Sequence, residues 1–207
     1  MAKTIPMIIT NENILVYDTE NSRFRSFVMP GIESLPNIPF YHSFADKISE
    51  CQHYFKEFMK KIYGKKYSKS ILAIVVPDDT TRLESIFIKE FFLHSGACKA
   101  VAQTTMGQAL NKYCSKYISI SKTNRNIVLQ YICNNEVKAR RLYNTDYEDI
   151  KKIFEDTKRI HIDTQYENMP VFINNFNMNM EAFSEIGEMI TPKEFLDKIA
   201  VIDVEKV

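Results

Sequence analysis

Glycine is scarce in this chain. Five are spread over 207 residues, at Gly31, Gly64, Gly96, Gly107 and Gly187, and no two are neighbours. Loops that wrap phosphate use glycine because the backbone must approach the oxygens closely and visit positive φ. No G-x-G-x-x-G and no G-K-[ST] occurs, which excludes the common nucleotide-cradling loops. Cysteine gives no site either. Cys51, Cys98, Cys114 and Cys133 lie far apart, form no C-x-x-C and have no histidine at ligand spacing, so they read as buried or half-buried thiols of a reducing compartment. His42, His53, His94 and His161 are equally scattered. Charge of one sign is missing too: Lys+Arg 27 against Asp+Glu 26 leaves a net +1, too little for a global field to draw in nucleic acid or membrane. No apolar run approaches the ~18 residues that cross a bilayer. The expectation is a cytoplasmic protein with no metal, no cofactor, and no nucleic-acid or membrane partner.

The chain does carry ample apolar material, 45% of its residues, enough for one large core or two small ones. Ile5–Thr10, Ile14–Asp18 and Arg23–Val28 read as three strands joined by the short polar turns "NEN" and "TENS". "MPGIESLPNIP" is a loop by its prolines and glycine. The spacing of Ile48, Cys51, Phe55, Phe58 and Ile62 predicts a helix over Ser43–Tyr63. Lys56, Lys60, Lys61, Lys65, Lys66 and Lys69 fall off its apolar stripe or beyond it and read as a solvated end, with an anionic partner as the alternative. Ile71–Val76 is apolar throughout and predicts a strand buried on both faces. Thr81 and Glu84 form a capping box, in which each side chain satisfies a free backbone N–H of the first turn, for a helix that stops at Gly96. A strand over Cys98–Gln103 and a helix over Thr105–Tyr113 follow.

The opening pattern then returns. Tyr117–Tyr143 is again strand, polar bend, strand, short turn, strand. A helix over Asp146–Thr157, a buried strand Val171–Asn174 and helices near Met180–Met189 and Pro192–Ala200 complete it, the last one capped by Thr191 with Pro192 and Glu194 behind it. Two similar units in tandem are expected. Residues 1–104 form the first, and 105–207 form a connecting helix with the second.

This layout resembles the core of the actin and Hsp70-type ATPases, most closely the bacterial actin MreB. The family's first phosphate loop, D-L-G-T-A-N-T-L-V-Y, lines up without gaps on Ile8–Tyr17, "IITNENILVY". Its V-P-S-G-x-T-x-x-E is similar to Val76–Glu84, its A-G-A to Ser95–Ala97, and its E-E-P-M-A-A-A-I to Gln103–Leu110. Its second phosphate loop, D-I-G-G-G-T-T-E, falls on Ser119–Asn126. The resemblance implies an α/β fold of two tandem ribonuclease H-like units, mixed sheets flanked by helices. The connections after Val28 and Tyr143 are too short for the outer subdomains that the family inserts over the nucleotide.

The departures from the family concern its chemistry. Ile8 and Ser119 stand where the resemblance puts the metal-organising aspartates. Thr10 replaces the first-loop glycine, and Ser121, Lys122 and Thr123 replace the glycine triplet. Gln103 and Thr104 stand for the glutamates, and the adenosine-binding glycines would fall in the glycine-free stretch Ile173–Asn179. Magnesium wants hard carboxylate oxygens, and phosphoryl transfer is almost wholly positioning plus electrostatics. The expectation is therefore a module with no catalytic or metal residue and a vestigial cleft at Thr10, Asn11, Asn13, Ser121, Lys122 and Thr123. It would act by contact with a protein partner, an actin-like filament protein or a second copy in a homodimer. Two alternatives stay open: a nucleotide-dependent phosphotransferase using Asn13, Lys122 and Thr123, and a ribonuclease H-like nuclease using Asp18, Asp78 and Asp79.

Overall fold

The computed structural model describes residues 3–33, 35–110 and 114–202. The chain divides into two compact units, Met1–Thr104 with Ala200–Val207, and Thr105–Ile199.

In the first unit β1 (Thr4–Ile9), β2 (Ile14–Asp18) and β3 (Arg23–Phe27) form an antiparallel meander. β4 (Ile71–Val76) lies parallel to β1, with Thr4 opposite Ile71 and Ile8 opposite Val75. With β5 (Ala100–Thr105) the sheet order is β3-β2-β1-β4-β5. Alternation sorts the side chains by face. Ile5, Met7, Ile9, Leu72, Ile74 and Val76 join Phe55, Met59, Ile88, Phe91 and Phe92 in one core. That core packs the sheet against α1 (Ile48–Tyr63) and α2 (Arg82–His94). Ile8, Ala73 and Val75, on the opposite face, are buried as well, which explains the unbroken apolar run of β4.

The helix expected over Ser43–Tyr63 begins later than its apolar spacing suggests. Phe40–Lys47 is a 3-10 helix, and the α-helix starts at Ile48. Three residues per turn place Tyr41 and Phe44 one above the other, both buried. The helix expected over Thr105–Tyr113 is also corrected. β5 runs through Thr105, and a 3-10 turn, Gln108–Leu110, follows; residues 111–113 lie outside the described residues. Thr105 and Gln108 close that turn on each other. The Thr105 amide donates to Gln108 Oε1 at 3.1 Å, and the Gln108 amide to Thr105 Oγ1 at 3.3 Å.

The second unit repeats the topology. β6 (Lys116–Lys122), β7 (Asn126–Cys133) and β8 (Glu136–Asn144) are an antiparallel meander. β9 (Val171–Asn174) runs parallel to β6, and β10 (Glu188–Ile190) parallel to β9. The order β8-β7-β6-β9-β10 is that of the first sheet, strand for strand. α3 (Ile150–Thr157), α4 (Ile162–Tyr166) and α5 (Pro192–Ala200) accompany it; α4 is too short to show a period in the sequence.

The helix expected near Met180–Met189 is absent. A 3-10 turn, Glu181–Phe183, and β10 occupy that stretch. Met180, Phe183 and Ile186 recur every three residues and all enter the second core, a spacing that suits a 3-10 path better than a 3.6-residue helix. Both sheets are mixed and flanked by helices. Among the described residues, neither the connection from Phe27 to Phe40 nor that from Asn144 to Ile150 carries an inserted domain.

Candidate functional site

The two hairpin bends at the expected phosphate loops share one construction. The first, between β1 and β2, is Thr10-Asn11-Glu12-Asn13. The second, between β6 and β7, is Thr123-Asn124-Arg125-Asn126. In each, the threonine amide donates to the closing asparagine carbonyl, at 3.0 Å for Thr10 to Asn13 and 2.8 Å for Thr123 to Asn126. The threonine hydroxyl oxygen accepts two amides of its own bend. Thr10 Oγ1 accepts from Glu12 at 3.2 Å and Asn13 at 3.0 Å; Thr123 Oγ1 accepts from Arg125 at 3.1 Å and Asn126 at 3.0 Å. This is the side-chain mimic of a turn that threonine favours. The repeat T-N-x-N is written in the sequence at both places, and an alignment based on the family's glycines passes over it.

The other marked positions are equally built into the fold. Ile8 is fully buried, between Leu15 and Val75. Ser119 is buried opposite Gln130, and its Oγ has no hydrogen-bond partner among the described residues. Ser121 is buried beside Asn174, and Lys122 ends β6 opposite Ile127. Thus Thr10, Asn11 and Asn13 belong to the bend of the first unit, and Ser121, Lys122 and Thr123 to the strand end and bend of the second. Gln103 Oε1 accepts from Ser85 Oγ at 3.0 Å, and Thr104 is buried. In the glycine-free stretch, Asn174 Oδ1 accepts the Phe176 amide at 3.0 Å and Asn175 Oδ1 the Met180 amide at 2.6 Å.

The carboxylates also have structural partners. Asp18, at the end of β2, accepts from the Glu20 and Asn21 amides, Asn21 Nδ2 and Arg25 Nε. Its burial would raise its pKa, but these donors hold it below the ordinary carboxylate value. Asp78 and Asp79 are buried between β4 and α2. Glu84 closes the capping box on the Thr81 amide at 2.7 Å and meets His42 Nε2 at 2.6 Å. Among the described residues, no group of three or more His, Cys, Asp or Glu could hold a metal ion.

The fold defines a class. Two mixed five-stranded sheets of the same strand order, each flanked by helices, form a two-unit actin-like core. No protein-family model and no curated protein matches the chain, but solved structures do. AlfA from a B. subtilis plasmid, pLS32, in its filament structure, is 11% identical with a TM-score of 0.53, over 96% of this chain and 97% of that one. The ethanolamine utilization protein EutJ from Carboxydothermus hydrogenoformans is 11% identical with a TM-score of 0.51, over 96% and 89%. A Bacteroides thetaiotaomicron protein with an actin-like ATPase fold and unknown function is 8% identical with a TM-score of 0.50, over 97% and 96%. At these identities the likeness is one of fold. No helix among the described residues is long and apolar enough to cross a membrane.

Proposed function

We propose that this chain is a non-catalytic actin-like module that acts in the cytoplasm by contact with another protein, an actin-like filament protein or a second copy of itself. One observation carries the reading: both bends at the phosphate-loop positions are closed by their own threonines. A phosphate loop binds by turning unsatisfied backbone N–H groups toward the ligand. Here the amides of Glu12, Asn13, Arg125 and Asn126 already donate to Thr10 or Thr123. A phosphate would have to break these bonds and replace them, with no aspartate at Ile8 or Ser119 to organise its metal. The phosphotransferase alternative asks Thr123 to hold phosphate with a hydroxyl that the bend already uses.

Calorimetric titration with magnesium and ATP tests the proposal. We expect no heat of binding at millimolar nucleotide. A dissociation constant below about 100 µM, roughly 5 kcal/mol of binding, would overturn it.

A further inference from the structure

The lysines that the sequence leaves as a solvated helix end gain neighbours in the fold. Because β1 and β4 are parallel, both begin at the same end of the first sheet. There the Ile71 amide donates to Lys3 O at 2.9 Å, and the Lys99 amide to Ser70 O at 2.8 Å. The Lys3 ammonium lies 5.3 Å from the centre of the Tyr63 ring. The end of α1, its following 3-10 turn (Gly64–Lys69) and the entry to β5 therefore meet at one place. Lys3, Lys56, Lys60, Lys61, Lys69 and Lys99 are all exposed. In residues 17–23, 56–71 and 95–100 the carboxylates are Asp18, buried against Arg25, together with Glu20 and Glu57, the last 3.4 Å from Lys60; Glu90, just before the third segment, meets His94 Nδ1 at 3.5 Å. Among the described residues, a chain with a net charge of only +1 has gathered cations at one end of one unit.

We propose that this end of the first unit is a docking face for an acidic protein surface. The inference rests on the contact reading above and specifies its partner. None of the exposed large apolar side chains falls in the three segments, the nearest in sequence being the single Leu93 before the third, and Tyr63 and Tyr67 are buried there. The face thus lacks the apolar anchor that holds a peripheral protein on a bilayer, and the aromatic platform that stacks single-stranded bases. Lysines are mobile point charges; here they are interrupted by Glu20 and Glu57. That pattern complements a protein face of mostly carboxylates, whereas a uniformly anionic duplex is repelled at both glutamates.

The test uses the full chain and a fluorescent peptide of about ten glutamates, read by anisotropy at low and at physiological salt. We expect binding that weakens with salt. Lys60→Glu/Lys61→Glu/Lys69→Glu should weaken it about tenfold or more, and the milder Lys60→Gln/Lys61→Gln/Lys69→Gln should fall between. The control Lys151→Glu/Lys193→Glu, in the second unit, should stay within about twofold of the parent. Absence of peptide binding by the parent chain, or parental affinity in both triple variants, sinks the proposal. So does tighter binding of a DNA duplex or of phosphatidylserine vesicles than of the peptide. Calorimetry with ATP on the same sample separates the two readings. ATP binding alongside the expected peptide result removes the non-catalytic reading alone, and failure with the peptide without ATP binding removes this face alone.

Discussion

Gly187 shows how much a single missing side chain can decide. A Cβ there would lie 2.3 Å from the Val171 carbonyl oxygen and 2.7 Å from Val171 Cβ. The strand pair β9–β10 closes only because the position is bare. Gly187→Ala must push β10 away from β9, and overpacking against backbone has no flexible side chain to absorb it. We expect a loss of about 3 kcal/mol, measured by urea unfolding; a variant as stable as the parent would show that β10 can move freely. Among the thiols, Cys98 is buried and its pKa pushed up to about 11 by that burial, so it is an inert packing residue. Tyr63, likewise pushed up to about 12 by burial, donates its hydroxyl to the Tyr17 carbonyl and ties α1 to the end of β2.

At the scale of elements, the start of α2 is the best-specified junction in the chain. Thr81 and Glu84 satisfy each other's backbone amides, and Glu84 also reaches His42 in the 3-10 helix before α1. Gly96, at φ +67°, then ends the helix in the left-handed region that glycine tolerates. Thr81→Ala leaves the Glu84 amide without its acceptor, so we expect about 1 kcal/mol lost, read as a lower urea midpoint with unchanged slope. The β8 edge is guarded differently. Lys138 and Arg140 are exposed along it, and charges on an edge strand discourage pairing with another chain. Contact through β8 backbone is therefore disfavoured, in keeping with a docking face placed elsewhere.

At the scale of the whole molecule, each unit holds a buried carboxylate kept ionised by its donors, Asp18 in the first and Asp156 in the second. Asp156 is buried; that burial would raise its pKa, but Arg141 at 2.6 Å, the Tyr143 hydroxyl at 2.7 Å and Lys152 at 3.3 Å hold it below the ordinary value. Asp18 plays the same part in the first unit. A carboxylate with a lowered folded pKa stabilises fully above its unfolded value of about 3.9 and loses that contribution as pH falls through the folded value. We expect the urea midpoint to be level from about pH 7 to 5 and to drop below about pH 4. Asp18→Asn and Asp156→Asn should be less stable at neutral pH but flatter on acidification. If the variants show the same acid drop as the parent, other groups control it.

Local chemistry was enough to reveal the meanders, the buried strand β4, the capped helices α2 and α5, and the absence of any clustered glycine. Strand alternation, turn residues and capping boxes act within a few residues, so they can be read along the chain. The tertiary structure decided whatever depends on partners distant in sequence. Phe40–Lys47 takes a 3-10 path because its aromatic side chains are buried in the first core, and Glu181–Phe183 does so because Met180, Phe183 and Ile186, every third residue, enter the second. Gly187 is required by Val171, sixteen positions earlier. The two T-N-x-N bends lay in plain view in the sequence. Only the hydrogen bonds of the fold reveal that their hydroxyls accept amides of their own bends. The lysines of α1 likewise became a face once parallel pairing of β1 with β4 carried Lys3 and Lys99 to the same end, because charge acts through distance in space and not along the chain.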